Sequence, residues 1–266
     1  MKKEIINLFH IGVGKVGTTF LKQLTDNKLN LERLYNVKIN LIAAFRSTGG
    51  IFSPSGIKDK EITQIINSKN NKSLFNNLKP TIKLINNCKK PLIVLDTTAS
   101  EESIDLLNYS LKTGAFVVMS NKKPLSSDYS IFNNFMTYEH RVFFETTVGA
   151  GLPIISTLKD LIYTGDKVFQ INGCFSGTLG FIFSQLEKGI SFSRVVIEAK
   201  QLGFTEPDPR DDLSGKDVAR KALILSRLTG QKINLKDIKI QSLYPARFQN
   251  ISIEKFPNLT LLYMTL

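Results

Sequence analysis

An apolar run at Ile5–Ile11 breaks on Gly12-Val13-Gly14-Lys15-Val16-Gly17 and gives way at once to TTFLKQL, so strand, tight glycine turn and helix follow in succession. In such a turn Gly12 permits the reversal, Gly14 lets a pyrophosphate approach the backbone, and Gly17 allows helix and strand to pack closely. The helix N-terminus adds amide donors and a positive dipole end for phosphates. The spacing alone also fits a turn whose glycines serve packing only. Its position directly after a strand at the head of the chain argues for the ligand, and for a doubly wound sheet built around it.

The basic start faintly imitates a secretory leader, but Glu4, Asn7 and His10 interrupt the apolar stretch and the glycine turn follows immediately. The segment reads as a buried strand of a cytoplasmic protein. A second strand, Ile39–Phe45, ends at Arg46-Ser47. Sites for NAD usually carry an acid there for the ribose 2′-hydroxyl, whereas an Arg suits a 2′-phosphate, so Arg46 favours NADP over NAD. Further strands are expected at Leu92–Leu95, Phe116–Met119 and Val142–Phe144, with a helix between the first two capped by Ser100 and stopped at Gly114. Strands alternating with helices imply a largely parallel sheet that binds ligands at its strands' C-terminal ends. Asp96-Thr97-Thr98 and Ser120-Asn121-Lys122 fall at two of those ends. The polar, Asn-rich stretch Gly50–Pro80 reads as a connection.

The length of 266 residues can hold two moderate domains. A formal charge of +12 invites a nucleic-acid reading, but the lysines are scattered, as in SKNNKSLFNNLKP, with no basic stripe interleaved with aromatics. No nucleic-acid partner is expected, and a basic surface suits an anionic small molecule equally well. No apolar run approaches the ~20 residues of a membrane span. Cys88, Cys174, His10 and His140 share no metal-ligand spacing, so no zinc site is expected and the chain fits a reducing compartment.

The second half begins with the crossing Glu145-Thr-Thr-Val-Gly-Ala-Gly-Leu-Pro153, whose proline suits the first turn of a helix running to about Tyr163. A strand near Val168–Asn172, the turn Gly173–Thr178, a helix ending by Gly189 and another over Ser193–Leu202 follow. Then comes EPDPRDDLSGKDVARK, Glu206 to Lys221, with five carboxylates and four cations on a backbone broken by two prolines and a glycine. Ser214 reads as an N-cap with Asp217 three residues on, as in a capping box. Asp217 and Lys221 are four apart and leave one face of the helix. As an ordinary surface pair they would contribute about 0.3–0.5 kcal/mol.

Taken in order, GVGKVG, DTTAS, SNKKPLS, ETTVGAGLP, GCFSGTLGFIFS and GFTEPDPRDDLSGKDVARK resemble homoserine dehydrogenase over nearly the whole chain. The last two segments are specific to that family. The wording is nearest to the dehydrogenase part of bifunctional aspartokinase–homoserine dehydrogenases, with no kinase portion in these residues. The resemblance implies a Rossmann-type dinucleotide-binding domain over 1–144, then an α+β catalytic and dimerisation domain over 145–266. It implies reduction of L-aspartate 4-semialdehyde to L-homoserine with NADPH or NADH, on the route to threonine and methionine, by a homodimer.

Carried over residue by residue, the turn Gly12, Val13, Gly14, Lys15, Val16 and Gly17 binds the cofactor, and Arg46 faces the adenosine ribose. Thr97 and Lys122 lie near the nicotinamide and the substrate. Glu206 and Asp212 bind substrate, and Asp217 and Lys221 join Lys122 in catalysis. Glu145, with the backbone carbonyls of Val148, Ala150 and Leu152, matches a monovalent cation site, usually sodium. The chemistry agrees: hydride addition to an aldehyde leaves an alkoxide that needs a proton and a nearby positive charge. Lys221 or Lys122 can supply both, Asp217 can hold the Lys221 ammonium in place, and Glu206 and Asp212 suit a substrate ammonium group.

Two departures from the family pattern stand out. Phe204 occupies a place where relatives commonly have Tyr, which removes one hydroxyl. The chain also stops at Leu266, before further strands and a returning segment that the family's pattern leads one to expect. The largely apolar tail Ile251–Leu266 would then leave a sticky edge. An active dehydrogenase or a fragment of one, a remnant that at most binds nucleotide, and another nicotinamide oxidoreductase acting on an amino-acid-like aldehyde are the competing readings.

Overall fold

The computed structural model describes residues 3–67 and 79–252. The chain forms two compact units divided between Ile155 and Ser156. In the first unit the order is β1 (Glu4–Ile11), α1 (Lys15–Tyr35), β2 (Val37–Arg46), β3 (Gly49–Phe52), α2 (Asp59–Asn67), α3 (Lys79–Ile82), β4 (Leu92–Asp96), α4 (Ile104–Lys112), β5 (Phe116–Met119), α5 (Lys123–Ser126), α6 (Tyr129–Met136), β6 (Val142–Phe143) and α7 (Thr146–Gly149). The strands form one sheet in the order β3-β2-β1-β4-β5-β6, parallel except for β3, which pairs antiparallel with β2.

β1 lies between β2 and β4, so the chain leaves the two strands in opposite directions and a crevice opens at their C-terminal ends. Being covered on both faces, β1 is buried continuously from Asn7 to Ile11 rather than alternately. Its two polar residues are accommodated individually. Asn7 Oδ1 accepts from Asn40 Nδ2 at 2.9 Å, and Asn7 Nδ2 donates to the Lys89 carbonyl at 2.9 Å. His10 is fully buried and meets Thr97. On one side of the sheet Leu8, Val13, Leu21, Leu41, Ile62 and Ile65 form a core that joins β1 and β2 to α1 and α2.

The five strands expected in this unit are present. β3 and α2 arise inside the stretch read as a connection. β3 is too short to show alternation, and Gly49, at φ 138°, is what allows the hairpin off Arg46. Residues 68–78 of that stretch lie outside the described residues. Helix α4 starts four residues after the expected cap. Ser100 Oγ accepts from Glu102 N in a local turn, while Ser103, which flanks the helix, turns its hydroxyl to Asp96. Gly114, at φ 87°, ends it as expected.

The second unit takes up α8 (Ile154–Tyr163) from its third residue, then α9 (Gly177–Leu186), α10 (Phe192–Gln201), α11 (Pro209–Leu213) and α12 (Lys216–Leu228). Ile182, Val195, Val196, Ala199, Leu213 and Phe248 make its core. The expected strand near Val168–Asn172 has no ladder partner among the described residues, and Phe169 stands 93% exposed. A strand exists only against another, and no described residue of this unit offers an edge. The apolar tail lies outside the described residues from 253 onward. No helix among the described residues is long and apolar enough to cross a membrane.

Ser214 does not take the N-cap position of α12, although its Oγ still accepts from Lys216 N at 3.3 Å. Helices α11 and α12 meet almost end to end, so Ser214 closes α11, donating to the Asp211 carbonyl at 2.9 Å. Gly215 takes the N-cap position in a left-handed conformation at φ 73°. The far end of α12 is pinned by Arg227, 3% exposed, whose Nε donates to the Ile233 carbonyl at 3.0 Å and whose Nη2 donates to Asn234 Oδ1 at 3.1 Å. A lysine cannot reproduce that fork. Arg227→Lys is expected to cost about 1–3 kcal/mol, read as a fall of several degrees in thermal unfolding.

Candidate active site

The glycine turn at the end of β1 sorts its three glycines into distinct jobs. Gly12 has φ 95° and sits so close to the Thr97–Thr98 backbone that an added Cβ would lie 2.4 Å from Thr98 N. At Gly17 a Cβ would fall 2.3 Å from the Gly12 carbonyl and 2.7 Å from Thr97 Oγ1. At Gly14 it would meet nothing within 4 Å among the described residues. Gly12 and Gly17 therefore let α1 rest on the ends of β1 and β4, while Gly14 borders open space into which an anion can come.

The amides divide the same way. Gly12 N and Val13 N both donate to the Phe45 carbonyl, at 2.8 and 3.0 Å, and Gly14 N donates to the Gly12 carbonyl at 2.7 Å. The Val13 side chain is buried in the core. Lys15, Val16 and Gly17 then head α1, whose N-cap Gly14 offers no side chain and whose first turn carries no acid. First-turn amides have no intrahelical acceptor. Of the six turn residues expected to bind the cofactor, these three carry the first-turn helix amides, and Val13 shapes the turn from beneath.

Thr97, expected near the nicotinamide, points inward. Its hydroxyl lies 2.6 Å from the Gly12 carbonyl, 3.3 Å from the Ile11 carbonyl and 2.8 Å from His10 Nε2. Burial pushes the His10 imidazole pKa down to about 4, so the ring is neutral. Beside it, a network that the sequence alone did not reveal ties β4 to β5. The Asp96 carboxylate accepts from Thr98 N at 2.8 Å, Ser103 Oγ at 2.7 Å and Asn121 Nδ2 at 3.0 Å. Asn121 Nδ2 also lies 2.7 Å from the Ser100 carbonyl, and its Oδ1 accepts from Lys123 N at 3.1 Å. Lys122, half-buried at the head of α5, is held between those two anchored neighbours.

Arg46, at the end of β2, donates from Nη2 to the Ile66 carbonyl at 2.9 Å, in the last turn of α2 where a cation is favoured. Glu145 accepts from Ile155 N at 2.7 Å, and the Leu152 carbonyl accepts from Ile154 N at 2.9 Å. Between them Ala150 holds φ 51° and ψ −109°, a strained non-glycine conformation of the kind that clusters at ligand sites. Carboxylate and carbonyl oxygens retain acceptor capacity beyond one hydrogen bond. The donor set of Glu145, Val148, Ala150 and Leu152 thus fits a hard cation by its chemistry.

In the second unit the expected cluster is assembled around α12. Lys221 Nζ lies 2.9 Å from Asp217 Oδ2 and donates to the Phe175 carbonyl at 2.6 Å, so the ammonium is held from two sides. Asp212 receives Glu206 N at 2.8 Å and Thr178 Oγ1 at 3.2 Å. Burial, with Asp217 and Asp211 nearby adding to it, pushes the Asp212 carboxyl above its usual range against those two hydrogen bonds. Glu206 itself is exposed, and Phe204 stacks edge-on against Phe181 with ring centroids 5.0 Å apart. Thr178 and the Phe175 carbonyl were missed in the sequence, although both stand in the segment GCFSGTLGFIFS.

Arg210 was missed too. Its Nε and Nη2 grip the Asp208 carboxylate at 2.9 and 2.6 Å, and Nη1 reaches the carbonyls of Phe248, Gln249 and Ile251 at 3.2, 2.9 and 2.6 Å. The stretch that carries Glu206 and the helix α11 with Asp212 is thereby tied to the segment after Tyr244.

A doubly wound sheet with an open glycine turn, joined to a unit that presents a held ammonium among carboxylates, defines the class of dinucleotide-dependent oxidoreductases. Residues 12–145 match the family model described as homoserine dehydrogenase, NAD binding domain, and residues 153–261 match that of homoserine dehydrogenase. A homoserine dehydrogenase of Paracoccidioides brasiliensis is 35% identical over 95% of this chain and 72% of its own length. The bifunctional aspartokinase/homoserine dehydrogenase of Haemophilus influenzae is 37% identical over 93% of this chain, which spans only 31% of that longer protein. Among solved structures, a Candida auris protein of unknown function superposes with a TM-score of 0.84 at 31% identity, covering 98% of this chain and 74% of that one. A hyperthermophilic archaeal homoserine dehydrogenase in complex with NADPH shares the fold, with a TM-score of 0.65 at 23% identity over 88% of this chain and 75% of that one. The chain belongs to the homoserine dehydrogenase family.

The glycines predict a separation of effects. Gly17→Ala is expected to destabilise the protein by about 1–3 kcal/mol through overpacking, whereas Gly14→Ala leaves the melting temperature in place and weakens NADPH binding. Thermal unfolding beside a fluorescence titration checks both. Arg210→Lys keeps the charge and loses the fork, and should cost about 1–3 kcal/mol, read as a fall of several degrees in thermal unfolding.

Proposed function

We propose that this chain reduces L-aspartate 4-semialdehyde to L-homoserine, in threonine and methionine biosynthesis, with NADPH preferred over NADH. The observation that carries the proposal is the Lys221 ammonium clamped between Asp217 and the Phe175 carbonyl. A nicotinamide nucleotide held at the glycine turn would supply the hydride for the aldehyde carbon. The carbonyl oxygen then carries developing negative charge, and Lys221 stabilises it and hands it a proton. A clamped ammonium needs no search for its geometry at that moment, which is worth more than the charge alone. Glu206 and Asp212 take the substrate ammonium, and Lys122 stands as the second cation for the substrate and the nicotinamide.

The division into a cofactor domain over 1–144 and a catalytic domain over 145–266 belongs to the same reading. Lys15, Val16 and Gly17 receive the pyrophosphate, and Arg46 takes the adenosine 2′-phosphate that distinguishes NADPH. Glu145 with the carbonyls of Val148, Ala150 and Leu152 would hold sodium, which would pin the chain just before α8. The enzyme works as a homodimer in the cytoplasm.

The 266-residue chain is to be purified and NADPH oxidation followed with L-aspartate 4-semialdehyde, beside Lys221→Ala and Asp217→Asn. Turnover is expected in the parent, with a loss of about 10²–10⁴ in kcat on removing Lys221 and a smaller loss for Asp217→Asn. A folded parent that binds NADPH and turns over no aldehyde would mark it as a nucleotide-binding remnant. Turnover of other amino-acid aldehydes in preference would assign a different substrate.

A further inference from the structure

We propose that His10 is a positioning residue for the dinucleotide turn: it fixes the Thr97 hydroxyl as an acceptor, so that hydroxyl's single proton goes to the Gly12 carbonyl and braces the turn beneath α1. The inference rests on the dinucleotide reading of the first unit and adds to it the residue that holds the phosphate-receiving amides in place.

The argument is one of donors and acceptors. Thr97 Oγ1 has one proton and three close neighbours: the Gly12 carbonyl at 2.6 Å, the Ile11 carbonyl at 3.3 Å and His10 Nε2 at 2.8 Å. Carbonyls only accept, so the 2.6 Å contact with the Gly12 carbonyl requires the proton; given instead to His10 Nε2, it would leave two oxygen lone pairs facing each other there and put an N–H on Nδ1, which has no acceptor. The imidazole must then donate, which fixes the tautomer with the proton on Nε2 and leaves Nδ1 bare. Nδ1 indeed has no partner among the described residues, although His10 is fully buried. A charged ring would bury a second N–H against nothing, so neutrality and the tautomer follow from one arrangement.

The brace sits where it can govern binding. Gly12 carries the left-handed turn, its carbonyl accepts Gly14 N at 2.7 Å, and Gly14 is the N-cap of α1. Any shift of the Gly12 carbonyl is passed to the first amides of the helix. Phe20, from the second turn of α1, closes the other side of the imidazole edge-on at 5.6 Å, so the ring touches both the brace and the helix. A Thr97 hydroxyl employed in this way is a support of the turn and not a ligand to the nicotinamide.

The test titrates the full chain with NADPH by fluorescence, with thermal unfolding recorded for each variant. His10→Leu fills the space of the ring without a donor, Thr97→Val removes the hydroxyl, and His10→Gln and Thr97→Ser keep the hydrogen-bonding groups. Each of the first two should raise Kd for NADPH about three- to tenfold, the worth of one hydrogen bond. The double variant should bind no worse than the weaker single one, because both break the same brace. The conservative variants should recover most of the affinity. Unchanged Kd in both singles, even with a lowered melting temperature, would show a histidine that serves stability alone and would overturn the proposal, as would additive losses. If His10→Leu fails to fold, the Thr97 pair decides: Val and Ser binding alike would overturn it. A folded parent that binds no NADPH would overturn the dinucleotide reading and this proposal with it, a result visible before any variant is made.

Discussion

The first unit depends on an absent side chain. Only because Gly17 lacks a Cβ can the first turn of α1 settle onto the Gly12 carbonyl and the Thr97 hydroxyl. That contact sets the height of the helix over the sheet, and with it the direction of the Lys15, Val16 and Gly17 amides. It also closes the space over His10, which keeps the ring dry and neutral. Packing and ligand recognition are therefore not separable here. The turn that buries the end of β1 is the same turn that leaves Gly14 facing open space.

The second unit solves a different problem. A dense group of like and unlike charges must be held close enough to act and far enough apart not to collapse. The solution is to anchor each charge locally: Asp208 by the Arg210 fork, Asp212 by Glu206 N and Thr178, and Lys221 by Asp217 and the Phe175 carbonyl. Asp212 remains the strained member, its carboxyl pushed up by burial with two more aspartates beside it. A carboxylate short of compensating positive charge is a good receptor for an incoming ammonium, since the ligand relieves a cost the protein already bears.

Much of this was legible in the sequence because it is local. The strands at Ile5–Ile11 and Phe116–Met119, the glycine turn, and the Asp217–Lys221 pair each depend on residues within one or two turns of each other. What escaped was of two kinds. Short elements such as β3 carry too few residues for a period to show. Partnerships across the chain leave no spacing to read: Asn121 with Asp96, Thr178 with Asp212, Arg210 with the carbonyls near Phe248. Ser214 failed as a cap for a related reason. Local rules favour it, but the end-to-end meeting of α11 and α12 hands that position to Gly215. Val13 shows the limit of carrying a role by position, since it lies in the turn while its side chain is buried in the core.

The two units also differ in how they meet charge. On the proposed reading, the first would meet the pyrophosphate with dipoles, three helix amides at a terminus without a capping side chain near a neutral imidazole, and would keep the one full charge of Arg46 for the 2′-phosphate. Nothing there must be neutralised before the ligand arrives, and the site loses little by standing empty. On the same reading, the second would meet its substrate with full charges, which are costly to leave unpaired in a half-buried place. It therefore pairs them among themselves in advance. That difference fits a division of labour in which a polyanionic cofactor is gripped by backbone geometry and a small zwitterionic substrate is sorted by side-chain charge. It also explains why one glycine decides the first site while the second is distributed over a helix, two loops and the segment that Arg210 ties down.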